Sequence, residues 1–158
     1  SLSLSLVPEP YPTDFIGKDS IYVDTTLEES SNYIKINTGE EDKIYTLSYY
    51  PEIYVQSNRQ PASTLYFTIY DGMVEANNPD EVSDHILNDL KKNKPVYIIT
   101  IENNKATSIN GSVGRWFEDY SEVIDYILEN YHVEKIFYNN DEGYPDGDLY
   151  LWKNSKST

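Results

Sequence analysis

The sequence predicts an α+β fold of two layers, a largely antiparallel sheet with two helices on one face, built on a duplicated β-hairpin–helix–strand unit. Three observations lead there. Several short runs alternate apolar and polar residues with period two. Two longer stretches, near residues 78–92 and 119–131, carry caps and apolar spacing of helical period. These two stretches also resemble each other, and each is preceded by a hairpin pattern and followed by a strand pattern.

Residues 1–20 are rich in Ser and Pro and have no core periodicity beyond alternating leucines, so they read as a tether or an edge strand joining the domain to something upstream. Ile21 to Val23 is a first short strand. Tyr33 to Ile36 and Ile44 to Tyr49 alternate as strands, with the polar stretch Asn37 to Asp42 as the hairpin loop between them. Ile53 to Val55 adds a short strand after Pro51. Leu65 to Tyr70 runs into Asp71-Gly72, the strongest short hairpin signal in the chain, with Met73 to Ala76 returning.

Asn78-Pro79-Asp80-Glu81 then opens a helix, with a capping Asn and Pro at the first helical position. Val82, Ile86, Leu87 and Leu90 form its stripe, and Pro95 ends it. Val96 to Ile101 is nearly all apolar, as expected of a central strand. The second helix is capped at Asp119 and carries Val123, Ile124, Ile127, Leu128 and Tyr131 on one stripe. Val133 to Tyr138 and Asp148 to Trp152 complete the strands. The expected limits are therefore one domain over 21–152, with 153–158 frayed.

The repeat, about 65–101 and 96–138, rests on Glu81 to Leu87 against Glu122 to Leu128, where five of seven positions are identical. The hairpins align at an offset of 32 and the helices at 41, so nine extra residues fall within Asn110 to Glu118. A hairpin and one amphipathic helix cannot bury both apolar faces alone, whereas two such units can share a sheet.

Composition narrows function. Twelve basic residues against 27 acidic ones give a formal charge of −15. That opposes binding to nucleic acid, which needs clustered cations, and to anionic lipid surfaces. It leaves two readings, simple solubility or an acidic face that docks on a basic partner. The absence of cysteine excludes disulfides, thiolate zinc sites and cysteine nucleophiles. No stretch reaches the roughly 18 apolar residues of a membrane span. The 16 tyrosines suit half-buried rings in a sheet, or alternatively an exposed aromatic face.

Candidate interaction residues fall in two groups. Arg115, Trp116 and Phe117 lie in the insertion that breaks the repeat, and with Tyr144 they are the residue types that dominate interface hot spots; the plainer reading is that they close the core at the helix entry. Glu118, Asp119, Glu122, Asp125 and Glu129 form a row along the outer face of the second helix, either a solvated face or an imitation of nucleic acid.

Residues Pro95 to Trp152 resemble a family of uncharacterised bacterial secreted or lipoprotein domains. The likeness lies in the strand Val96 to Ile101, the turn Asn103-Asn104-Lys105, the helix Tyr120 to Tyr131, the strand Val133 to Tyr138 and the loop Gly143-Tyr144-Pro145. The family often carries two cysteines near the start of the domain, and glycine is expected where Asn104 stands; this chain departs from both. The resemblance implies an extracytoplasmic location, secreted or lipid-anchored, and supplies no functional residues.

No catalytic set is legible, and no enzyme activity or cofactor is expected. His85 and His132 are the only histidines; the first sits within a helix pattern and the second at the end of one, where an imidazolium would suit the helix dipole. No nucleophile elbow or phosphate-binding glycine loop is present. With 27 acidic residues, no carboxylate pair stands out.

The leading expectation is a non-enzymatic extracytoplasmic domain that binds a protein. The alternative is an acidic inhibitor or immunity-type protein, acting in the cytoplasm, that blocks a basic enzyme. Asp141, Glu142, Asp146 and Asp148 share one glycine-containing loop, but their spacing departs from the EF-hand pattern and matches ordinary turn chemistry. A calorimetric titration is therefore expected to show no heat with millimolar calcium; a saturable exotherm would make that loop a metal site.

Overall fold

The computed structural model describes residues 25–47, 50–65, 79–102, 121–139 and 147–157. Helix α1 spans Thr25–Asn37, β1 Lys43–Leu47, α2 Glu52–Ser57, β2 Gln60–Pro61, α3 Pro79–Asn93, β3 Tyr97–Glu102, α4 Ser121–Asn130, β4 Tyr131–Phe137 and β5 Asp148–Asn154. The strands form one sheet in the order β2-β1-β3-β5-β4. Strand β1 runs parallel to β2 and β3, while β5 pairs antiparallel with both β3 and β4, so antiparallel pairing covers most of the sheet. The fold is α+β, as the sequence predicts.

Strand β3 lies at the centre because it can be buried on both faces. Ile98 points into one core with Tyr45, Leu47 and Trp152. Tyr97, Ile99 and Ile101 point into the other with Ile44, Leu149 and Leu151. Thr100 accepts a hydrogen bond from the Trp152 indole N–H at 2.9 Å, which satisfies both buried polar atoms.

The first core is covered by α3, through Val82, Ile86 and Leu90, and by α4, through Val123, Ile124 and Ile127. These are the two helices expected on one face. At the offset of 41, Val82 and Val123, Ile86 and Ile127, and Leu90 and Tyr131 are all buried. Leu128, assigned to the stripe from sequence, is instead half exposed. Tyr131 opens β4 rather than ending α4, and its hydroxyl donates to the Pro95 carbonyl at 2.7 Å. The hairpins expected before each helix lie largely outside the described residues.

The second core corrects the two-layer expectation. Leu27 and Ile34 of α1, with Ile53 and Tyr54 of α2, cover the opposite face, making three layers. Tyr33 to Ile36 and Ile53 to Val55 are therefore helical, not strands. The misleading feature is serine. The buried positions of α1 are Thr26, Leu27, Ser30, Ser31 and Ile34, a helical stripe in which three side chains are polar. Ser30 donates to the Leu27 carbonyl at 3.0 Å and Ser31 to Gln56 Oε1 at 3.2 Å. Small hydroxyls satisfied this way let α1 and α2 approach closely. The Asn37 to Asp42 turn forms as expected, with Asp42 Oδ2 accepting from the Gly39 N–H at 2.7 Å, but it joins a helix to a strand.

Arg59, only 6% exposed, fastens the same layer. Its Nε donates to Thr38 Oγ1 at 2.8 Å. One terminal nitrogen donates to the Ser57 and Asn58 carbonyls at 3.4 and 2.9 Å, and the other to the Lys35 and Thr38 carbonyls at 3.1 and 2.9 Å. Every guanidinium donor is thus used on the C-terminal ends of α1 and α2, where unpaired carbonyls concentrate negative charge. Strand β5 also runs past Trp152: Lys153 pairs with Tyr97 and His132, and the Ser155 N–H donates to the Asn130 carbonyl at 2.9 Å. Residues 153–157 are therefore ordered, not frayed, because backbone pairing continues after the apolar pattern stops.

Replacing Arg59 with Ala should destabilise the domain by about 2–4 kcal/mol, since it strands several buried carbonyls. Arg59→Lys should recover only part of that, having three donors in place of five. Urea unfolding midpoints test this; a loss under about 0.5 kcal/mol for Arg59→Ala would show that the clamp contributes little.

Candidate functional site

Strand β4 ends the sheet, and an irregularity in it shapes what lies beside it. Val133 pairs with Trp152 and Lys135 with Leu151, leaving Glu134 as an extra residue. Trp152 faces the α3–α4 core and Leu151 the α1–α2 core. The bulge therefore places two consecutive side chains, Glu134 and Lys135, toward α1, where a regular strand would place one.

Each makes a distinct contact there. Glu134 Oε2 accepts from Tyr97 OH at 2.6 Å and from Tyr33 OH at 3.2 Å. Its Oε1 lies 3.5 Å from Lys153 Nζ. Lys135 Nζ sits over two rings, 4.7 Å from the Tyr33 centroid and 5.2 Å from that of Phe137. Those rings meet edge to face, with centroids 5.8 Å apart and planes at 71°. Beside them a groove of about 600 Å³ runs between α1 and β4, lined by Glu29, Asn32, Tyr33, Ile36, Lys135, Ile136, Phe137 and Tyr138. Ile36 is 81% and Tyr138 66% exposed, so the groove has an apolar rim facing solvent.

The electrostatics follow from these contacts. Partial burial works against the Glu134 charge, but the hydrogen bonds from Tyr97 and Tyr33 and the Lys153 ammonium outweigh it, and the carboxyl is held below its ordinary value. Burial, then the hydrogen bond to Glu134 and its charge, push the Tyr97 phenol well above its ordinary value. Tyr33 shifts upward for the same reasons, burial first. The cluster is a carboxylate with two phenol donors and an ammonium, suited to fixing geometry; nothing in it presents an activated nucleophile.

Sequence reasoning missed this site. It read Tyr33 to Ile36 as a strand, which removes α1 and with it one wall of the groove. The legible signal was the tyrosine excess, yet most described tyrosines are core: Tyr45, Tyr50, Tyr54, Tyr97 and Tyr131 are buried. Of the residues singled out beforehand, Arg115, Trp116, Phe117, Glu118, Asp119 and Tyr144 lie outside the described residues. Glu122, Asp125 and Glu129 are exposed on α4, over the sheet face opposite the groove.

The histidines form no relay. Thr64 Oγ1 and Asp89 Oδ2 both approach the same His85 nitrogen, Nε2, at 2.7 and 3.2 Å, whereas a triad needs the hydroxyl and carboxylate on opposite nitrogens. Asp89 also accepts from Ser63 Oγ at 2.8 Å, so this cluster ties the segment after β2 to α3. His132 is in β4, not at a helix end, because α4 stops at Asn130; its Nδ1 lies 3.0 Å from Ser155 Oγ. Of the four acidic residues of the glycine-containing loop, only Asp148 is described; its Oδ1 accepts from the Asn139 N–H at 2.8 Å. Among the described residues no group of three or more His, Asp or Glu is placed to hold a metal, and no helix is long and apolar enough to cross a membrane.

The chain matches no protein-family model and no curated protein. It is distantly similar to a solved structure, the C-terminal globular domain of oligosaccharyltransferase from Archaeoglobus fulgidus, with 12% identity, a TM-score of 0.41, and coverage of 82% of this chain and 96% of that one.

The cluster makes a pH prediction. A carboxyl with a lowered folded pKa contributes stability that is complete above its ordinary value, 4.5, and is lost as pH falls below it. A phenol raised above 10.0 contributes stability below that pH and loses it as pH rises further. The stability difference between the wild-type chain and Glu134→Gln, measured by urea unfolding, should therefore shrink below about pH 4.5; near pH 10 the titration of the unfolded phenols is common to both chains and cancels. A difference constant across pH would refute the role given to Glu134.

Proposed function

We propose that this chain is a non-enzymatic protein-binding module and that its docking site is the groove between α1 and β4. The observation that carries the reading is the pair of exposed apolar side chains, Ile36 and Tyr138, flanking a shallow, open groove at the last strand of the sheet. Exposed apolar groups gathered along a groove are the usual makings of a peptide-binding surface. The bulge and the charged side chains of β4 discourage indiscriminate strand pairing, which favours a selective partner. In line with the resemblance of its second half, the domain would act outside the cytoplasm.

A second reading has its own support. Glu122, Asp125 and Glu129 are exposed along α4, and with a net charge of −15 they favour an acidic inhibitor that docks on a basic enzyme through that helix.

Peptides selected by phage display against the whole chain, then titrated in amide-shift NMR, separate the two. Groove binding should perturb Glu29, Ile36, Lys135 and Tyr138, and Ile36→Asp should weaken it at least about tenfold. Shifts centred on α4 and abolished by Glu122→Lys with Asp125→Lys would replace the groove reading with the inhibitor reading.

A further inference from the structure

We propose that the groove receives a cationic side chain from a basic, extended segment of a partner protein, and that Lys135 is the in-chain occupant which that side chain displaces. The inference rests on the groove being the docking site and adds the chemistry of its ligand.

The seat is already built and filled. Tyr33 and Phe137 present their ring faces to one ammonium, that of Lys135, at 4.7 and 5.2 Å. Both distances fall inside the ~6 Å over which an aromatic face attracts a cation. Lys135 is exposed, on a bulged strand at the sheet's end, so its flexible stem can swing into water without disturbing the core. The rings stay in place, because Phe137 is 6% exposed and the Tyr33 hydroxyl donates to Glu134.

Glu29 lines the groove and supplies a carboxylate for an incoming Lys or Arg, and the exposed Ile36 and Tyr138 supply apolar surface for its methylene stem. Arginine suits the seat best, since its guanidinium is planar and more weakly hydrated than an ammonium. The whole chain's charge of −15 complements a basic segment and speeds its approach. An acidic or neutral partner would gain neither attraction.

The test uses the full chain and two synthetic peptides of one extended sequence. One carries alternating arginines, and the other replaces each with citrulline, a neutral group of the same shape. Amide-shift titrations are run on wild-type, Lys135→Ala, Tyr33→Phe and Tyr33→Leu chains, each checked for an unchanged fold by circular dichroism. The arginine peptide should bind in the groove and the citrulline peptide should not. Lys135→Ala should bind about three- to tenfold tighter, because the competitor is gone. Tyr33→Phe should keep most of the binding, losing only the hydroxyl's tether to Glu134, and Tyr33→Leu should weaken it about tenfold, since the ring face is the contact.

If the arginine peptide binds all four chains equally, or its shifts map to α4, the cation is held by diffuse charge and the proposal is overturned. If phage-selected peptides shift the groove resonances while both synthetic peptides do not, the groove remains a docking site and only its basic occupant is wrong. If no peptide of any kind shifts the groove, both readings fall.

Discussion

Arg59 is the constraint on which the groove-bearing face depends. A buried cation with no carboxylate partner among the described residues is costly unless every donor finds an acceptor. Here the acceptors are the carbonyls that two helices leave unpaired at their C-terminal ends, together with the Thr38 hydroxyl, which itself donates to the Ile34 carbonyl at 2.6 Å. Two problems cancel: the orphan carbonyls gain donors and the guanidinium gains partial negative charge. One acceptor, the Lys35 carbonyl, belongs to the turn of α1 that carries Tyr33 and Ile36. The same bonds that close the helix therefore fix the wall of the groove.

The opposite wall depends on a different device. A regular β4 would alternate its side chains between the two cores. The extra residue at Glu134 breaks that alternation and sends a carboxylate and an ammonium to the same side. They do not pair with one another. Glu134 is taken by two phenols and Lys153, and Lys135 by two rings. The carboxylate network ties β4 to the central strand through Tyr97 and to α1 through Tyr33, so both walls share one polar fastening. The Lys135 ammonium, by contrast, is held among the described residues by its position over the rings, which is why it is the replaceable member.

The two faces of the sheet also differ in how their helices bind. Over one face, α3 and α4 pack through aliphatic stripes of ordinary period. Over the other, α1 approaches α2 through serines, and Tyr54 of α2 reaches the sheet, its hydroxyl accepting the Thr46 N–H at 2.9 Å. Strand β2 is only two residues long and pairs with β1 no further than Ile44, so this hydroxyl continues the pairing along β1 beyond it. The groove lies on the side where buried hydroxyls and Arg59 add directional contacts to the apolar packing of α1 and α2.

The sequence by itself determined the α+β class, helices α3 and α4 on a common face, the central strand β3 and the strands β1, β4 and β5. Their apolar runs and stripes are strong enough to show the element type, although Leu128 of α4 is half exposed and the bulge breaks the alternation of β4. Tertiary structure decided the remainder. Helix α1 was illegible because its stripe is written in Thr and Ser, whose hydroxyls are satisfied by local carbonyls and by α2, a partner that no periodicity reveals. Helix α2 was too short to show a period. The candidate groove depends on both of these hidden elements and on a one-residue bulge, and a bulge is a relation between strands, absent from either strand read alone. Tyr33, Glu134 and Lys135 are unremarkable where they stand in the chain; Tyr33 and Glu134 are 101 residues apart in sequence and meet only when α1 is laid against the last strand of the sheet.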